Sequence, residues 1–143
     1  MRDVILAIDA GTTGNRVLAF SQGLEIVADA YYELPRYTPE PGWVEQDPMD
    51  IWNSTERALQ DVLTTVDGEN VQAIGIANQR ETTILWDGKT GEPVGNAVVW
   101  QERRTAKTCG DLASLTEDVK ARTGLFIDPY FSATKIAWLL DHT

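Results

Sequence analysis

Three short runs rich in Val, Ile, Leu, Ala and Tyr, at residues 3–9, 16–21 and 25–33, follow one another at the start of the chain. They are joined only by glycine-bearing turns at 10–15 and 22–24. Strands joined by so few residues pair as antiparallel neighbours, because a parallel pair needs a crossover of a dozen residues or more. The opening is therefore a β-meander. Pro35, Pro39, Pro41 and Gly42 then break regular structure, giving a loop up to Asp47.

Asp47-Pro48-Met49-Asp50 has the chemistry of a helix start: a capping carboxylate, a proline at the first helical position and an acid in the positive first turn. Ile51, Trp52, Leu59, Val62, Leu63 and Val66 recur with helical period, and Asp67-Gly68 is the expected stop. Residues 71–77, 82–86 and 97–100 are expected strands, the last two flanking a turn at Asp87-Gly88-Lys89-Thr90-Gly91. Residues 103–113 and 116–122 are expected helices, with Thr123-Gly124 as a C-cap and Asp128-Pro129 as a turn. A last helix is expected to use Ser132 as its cap and to turn Ile136, Leu139 and Leu140 inward. The order is mixed α/β with a partly antiparallel sheet flanked by helices, unlike the strict βαβ alternation of a Rossmann fold.

Charge and composition narrow the function. At 143 residues the chain suits one domain with a real core. No apolar run approaches the roughly 20 residues needed to cross a bilayer. Met1-Arg2-Asp3 leads toward the first strand with no signal-peptide pattern. A formal net charge of -10 without a basic run argues against nucleic acid or an anionic membrane as partner. Cys109 and His142 are each the only residue of their kind, which excludes an internal disulfide and a Cys/His zinc site and fits a reducing cytoplasm. Cys109 is expected to be a partly buried small apolar residue.

The first turn reads Asp9-Ala10-Gly11-Thr12-Thr13-Gly14-Asn15-Arg16. It is neither a P-loop, which ends in Gly-Lys-Ser/Thr, nor a G-x-G-x-x-G dinucleotide turn opening a helix. Two readings stand. It is an ordinary hairpin tip, or it is an anion cradle: glycines let backbone amides approach, threonines add donors and Arg16 adds a charged fork. Asp9 at the strand end could then hold Mg²⁺ through waters.

Five blocks occur in order: Asp9-Ala10-Gly11-Thr12-Thr13, Pro41-Gly42-Trp43-Val44-Glu45-Gln46-Asp47-Pro48, Asn78-Gln79-Arg80-Glu81-Thr82-Thr83, Trp100-Gln101-Glu102-Arg103-Arg104-Thr105 and Asp128-Pro129-Tyr130-Phe131-Ser132-Ala133-Thr134-Lys135. Together they closely resemble the amino-terminal part of the glycerol kinases, within the FGGY family of carbohydrate kinases. The resemblance runs the whole length of the chain. It implies the ribonuclease-H-like, actin-like ATPase fold and ATP-dependent phosphorylation of glycerol to sn-glycerol 3-phosphate in the cytoplasm, with ATP and Mg²⁺ required. It implies that Arg80, Glu81 and Tyr130 bind glycerol hydroxyls, that Trp100 packs on the carbon backbone, and that Thr12, Thr13 and Gly14 line the ATP phosphates. Thr12 would also lie near the product phosphate, Arg16 would contact ADP and Asp9 would sit close to the metal. The parent would be a homo-oligomer. The chemistry suits a small polyol: Glu81 accepts hydroxyl protons, Arg80 donates, Tyr130 does either and Trp100 covers the C–H face. Read from the residues alone, Arg80 and Glu81 could equally be an exposed ion pair, Trp100 a core residue and Tyr130 a turn residue.

Two departures matter. Glycerol kinases usually read Asp-Gln-Gly-Thr-Thr-Ser-Ser-Arg at the first hairpin, whereas Ala10, Gly14 and Asn15 stand here. A hydroxyl missing at position 14 could cost roughly 1.5–3 kcal/mol if its bond goes to a charged group. Family members are also several times longer. Residues 1–143 thus read as part of the first kinase domain, truncated, with the second domain and the general-base aspartate beyond residue 143. The fragment alone is expected to be inactive. The alternatives are a kinase for another polyol or a ketose, and a non-catalytic actin-like nucleotide-binding domain. A nuclease built on Asp9 and Glu81 is disfavoured by the acidic balance.

Overall fold

The computed structural model describes residues 3–143; Met1 and Arg2, read above as leading toward the first strand, lie outside the described residues. In chain order the elements are β1 Val4–Ala10, β2 Gly14–Ser21, β3 Ile26–Glu33, β4 Glu45–Gln46, α1 Pro48–Leu63, β5 Val71–Asn78, β6 Ala97–Val98, α2 Ala106–Asp111, α3 Thr116–Thr123 and α4 Ser132–His142. Short 3₁₀ turns lie at Gly68–Asn70 and Ala113–Leu115. The elements group into two compact units. One comprises the chain up to Pro35 with Asp47–Gln79, the other Arg36–Gln46 with Arg80–Thr143.

In the first unit the expected meander forms, and β5 adds beside β1 to give the order β3-β2-β1-β5. β1 pairs antiparallel with β2 and parallel with β5, the intervening α1 supplying the crossover that a parallel pair requires. Val4, Leu6 and Ile8 alternate along β1 and are buried with Val17, Ala19, Ala58, Val62 and Val66. Leu6 is 1% exposed. Leu6→Ala is therefore expected to cost about 2–5 kcal/mol, seen as a lower urea midpoint at unchanged slope; a loss below about 1 kcal/mol would contradict this core.

α1 starts as its sequence predicts. Asp47 caps it, its carboxylate accepting from the Met49 amide at 2.7 Å, and Pro48 takes the first turn. It ends at Leu63, before Asp67-Gly68, because Asp67 instead caps the following 3₁₀ turn through the Glu69 amide. Trp52 and Leu63, expected on the apolar stripe, are exposed. The inward stripe runs through Ile51, Ser54, Thr55, Ala58 and Val62, and includes two hydroxyls that a reading of apolar spacing passes over. Their partner is Asn15, fully buried on β2. Its amide nitrogen lies 2.8 Å from the Ile51 carbonyl, 2.8 Å from the Ser54 hydroxyl and 2.7 Å from the Thr55 hydroxyl.

In the second unit β4 and β6 pair antiparallel, matching Glu45 with Val98 and Gln46 with Ala97. The strand expected at 82–86 is reduced to isolated bridges, Thr83 with Val98 and Trp86 with Pro93. Pro93 has no N–H to extend a ladder, and Glu81, at φ +65°, bends the chain just before the segment. One step beyond the assigned pairs, the Val99 amide still bonds the Val44 carbonyl in the same register. The helix expected at 103–113 is shorter, Ala106–Asp111, and ahead of it the Arg103 amide bonds the Gly42 carbonyl at 2.7 Å.

α3 closes as expected, with Gly124 left-handed at φ +74° and its amide on the Lys120 carbonyl. The Asp87 turn also forms. The Lys89 and Thr90 amides bond its carboxylate and hold its pKa below the usual carboxylate range. Asp128 turns the chain by accepting from the Tyr130 amide at its carboxylate and from the Phe131 amide at its carbonyl. α4 begins at Ser132, yet Phe131 holds the cap position and the Ser132 hydroxyl is used elsewhere. Leu139 is buried as expected, but Ile136 and Leu140 are exposed. The inward stripe is instead Lys135–Leu139, one turn apart. Cys109 is a buried free thiol.

Candidate functional site

Each unit carries one set of candidate residues. In the first, the parallel and antiparallel neighbours of β1 end together around the Gly11–Thr13 turn, with Asp9 opposite Arg16 and Ala10 opposite Asn15 and Asn78. The turn is closed by the Gly11 amide on the Gly14 carbonyl at 3.1 Å and braced by the Gln79 amide on the Ala10 carbonyl at 2.9 Å. Gly11 is required by close approach to backbone, whereas Gly14 is crowded by the end of the exposed Tyr31 side chain. A Cβ at Gly11 would lie 2.8 Å from the Gly14 carbonyl oxygen, and one at Gly14 would run into the Tyr31 phenol. Tyr31 lies opposite Arg16 on β3, and its hydroxyl donates to the Thr13 carbonyl at 3.3 Å.

The position-14 departure therefore has a local reason: the volume of a side chain there is taken by Tyr31. Asn15 faces α1 and the core, so it belongs to the brace beneath the turn. Arg16 pairs with Asp29 at 2.6 Å, both side chains about half exposed. An exposed pair of this kind is worth only ~0–1 kcal/mol, so a polyphosphate could compete for the guanidinium. Asp9 is exposed at the strand end. Among the described residues no three or more His, Cys, Asp or Glu cluster as a metal cage. The Asp9 carboxylate at the end of β1 is of the kind Mg²⁺ takes, since that ion commonly uses one or two carboxylates, several waters and substrate phosphates.

In the second unit the geometry is more specific. Glu81, a non-glycine residue in the left-handed region, sits two residues before the bridge at Thr83. That conformation costs roughly 1–2 kcal/mol and persists only where the surroundings impose it. The imposing contacts come from α4. One carboxylate oxygen, Oε2, accepts from the Ser132 amide at 2.8 Å and the Ser132 hydroxyl at 2.7 Å. Lys135 donates to the Glu81 carbonyl and, at 2.7 Å, to the Tyr130 carbonyl.

Tyr130 meets Trp100 edge-on at 5.9 Å and Phe131 at 5.0 Å. The Trp100 amide donates to the Thr82 hydroxyl at 3.4 Å. Glu81 and Tyr130 are thus tied through Lys135, and Tyr130 packs on Trp100; all three are half-buried, with Arg80 exposed next to Glu81. The arrangement suits a small neutral polyol, whose hydroxyls need acceptors and whose C–H face needs an aromatic wall. Sequence reasoning named these four residues from resemblance but missed Ser132 and Lys135 as the parts that hold Glu81. Their only signal was their place in the Tyr130–Lys135 block.

The amino-terminal domain of the FGGY family of carbohydrate kinases matches residues 4–143. The chain belongs to that family. A glycerol kinase of Rhodospirillum centenum is 52% identical over 145 residues, which cover 99% of this chain and 29% of the relative. Among solved structures, a Plasmodium falciparum glycerol kinase with ADP superposes with a TM-score of 0.91 at 32% identity, over 99% of this chain and 29% of that one. A ligand-bound xylulose kinase from Lactobacillus acidophilus gives 0.88 at 22% identity, over 96% of this chain and 28% of that one; at that identity the likeness concerns the fold alone. The fold of this FGGY domain is thus the mixed α/β, actin-like ATPase fold that the resemblance implied. The chain spans about three tenths of the length of the relatives it matches. No helix among the described residues is long and apolar enough to cross a membrane.

Proposed function

We propose that this chain is the amino-terminal part of an ATP-dependent glycerol kinase, converting glycerol to sn-glycerol 3-phosphate in the cytoplasm. The observation that supports the reading is that Glu81, held by Ser132, and the Trp100–Tyr130 ring pair lie in one unit of a domain from a family of carbohydrate kinases, offering a hydroxyl acceptor and an aromatic wall. Glu81 offers its second carboxylate oxygen to glycerol hydroxyls, Arg80 donates to their lone pairs, Tyr130 completes the set and Trp100 covers the carbon chain. Thr12, Thr13 and the Gly14 backbone bind the ATP phosphates, and Arg16 exchanges Asp29 for ADP. Asp9 holds Mg²⁺ through water; the ion, when bound, neutralises charge on the transferring phosphoryl group.

The residues named for substrate, nucleotide and metal are assignments of this proposal. The identity of the alcohol rests on the Asn78-Gln79-Arg80-Glu81-Thr82 block and on the glycerol kinase relatives. The test is glycerol-dependent ADP release by the full-length protein. Arg80→Ala is expected to raise KM for glycerol at least tenfold while leaving KM for ATP within about twofold, as loss of a charged hydrogen bond of roughly 1.5–3 kcal/mol requires. Preference for erythritol or xylulose over glycerol would replace glycerol as the substrate. Equally weak glycerol binding by wild type and variant would point to a non-catalytic domain.

A further inference from the structure

Lysine is among the side chains least often fully buried, yet Lys135 has no exposed surface. Its ammonium spends its donors on two main-chain carbonyls, those of Glu81 and Tyr130. These residues lie 54 and 5 positions away in sequence, and both are assigned above to the alcohol. Three positions earlier on the same helix, Ser132 holds the Glu81 carboxylate with its amide and hydroxyl. The first turn of α4 therefore grips Glu81 at both its carbonyl and its carboxylate, and Tyr130 at its carbonyl.

We propose that Lys135, assisted by Ser132, is the positioning residue of the alcohol site. It locks Glu81 into its left-handed conformation and sets the spacing between the Glu81 carboxylate and the Tyr130 ring. An apolar side chain of the same length would fill the same volume but leave both carbonyls without this donor, so Glu81 could relax to an ordinary φ and its free oxygen would leave the site. Burial lowers the Lys135 pKa, while the Glu81 and Glu102 carboxylates oppose that shift. The role is positional: Lys135 acts through Glu81 and Tyr130 and need not touch the substrate.

The inference rests on the reading of Glu81 and Tyr130 as alcohol ligands, and its test separates the two. In the full-length protein, Lys135→Met is expected to raise KM for the accepted alcohol at least tenfold with KM for ATP within twofold, and Ser132→Ala to raise it at least threefold. Ser132→Ala keeps the ammonium and the backbone, so it gives a reading even where Lys135→Met does not fold. Equal changes in both KM values, or an unchanged alcohol KM in both variants, would overturn the proposal. If the wild type prefers another alcohol, the glycerol assignment fails while the same comparison on that alcohol still decides Lys135. If it turns over none, a crystal structure of Lys135→Met decides: Glu81 leaving positive φ supports the role, and Glu81 and Tyr130 staying in place removes it.

Discussion

Replacing Glu81 by glutamine in the full-length protein is expected to lower kcat/KM for glycerol by roughly 10²–10⁴-fold. Only one carboxylate oxygen is spent inside the protein, Oε2, which accepts from both the amide and the hydroxyl of Ser132. The other is available to substrate. A glutamine must keep its carbonyl oxygen toward Ser132, because turning its amide there would set donor against donor. Its NH₂ then faces glycerol where an anionic acceptor is needed. Losing two charge-assisted hydrogen bonds costs about 3–6 kcal/mol, and each ~1.4 kcal/mol is a factor of ten in rate. The check is ADP-release kinetics at saturating ATP, with KM for ATP as internal control. A loss below threefold would mean that Glu81 serves only to hold α4, and the alcohol site would have to be sought elsewhere.

The largest expected stability effect lies at Arg104. Its side chain is 2% exposed; its Nε reaches the Glu102 carboxylate at 2.6 Å and its Nη2 reaches Glu45 at 2.8 Å. The guanidinium also lies 3.9 Å from the Trp43 ring centre and 4.6 Å from that of Trp138, which meet edge-to-face at 5.2 Å. Arg104→Met keeps much of the packing but removes the direct ion-pair partner of Glu102, which is fully buried and then has only the more distant Lys135 ammonium as counter-charge. Removing one partner of such a pair typically costs about 3–5 kcal/mol, because the stranded charge keeps its desolvation penalty. Urea unfolding followed by tryptophan fluorescence reads this, since Trp43 and Trp138 report on the same site. The double change Arg104→Met with Glu102→Met is expected to recover much of the loss, an apolar pair being tolerated where a lone charge is not. A single variant as stable as wild type would show that solvent reaches Glu102.

The first half of the chain was largely legible because its signals are local. The apolar run Val4–Ile8, the glycine-bearing turn at 10–15 and the Asp47-Pro48 cap each need only neighbours in sequence to act, and all three form as read. The segment 82–86 was misread for the opposite reason. Its composition suits a strand, but the partner that would extend the ladder contains Pro93 and its entry is bent at Glu81. Ile136 and Leu140 are apolar at helical spacing, yet α4 is rotated to bring Lys135 and Leu139 inward.

The candidate site divides along the same line. The order and spacing of the five motif blocks put forward Arg80, Glu81, Trp100 and Tyr130 as candidates, because residue types and their sequence are what a family shares. The sequence alone determined the meander, the helix that follows it and the family. Tertiary structure decided that Tyr31 fills the space above Gly14, that Asn15 is a core brace and that α4 holds Glu81 from 51 to 54 residues away. Those facts depend on which buried polar group finds which distant partner. Pattern and propensity report what a segment prefers, whereas a buried amide, carboxylate or ammonium is placed by the requirement that its hydrogen bonds be satisfied wherever the fold brings a partner.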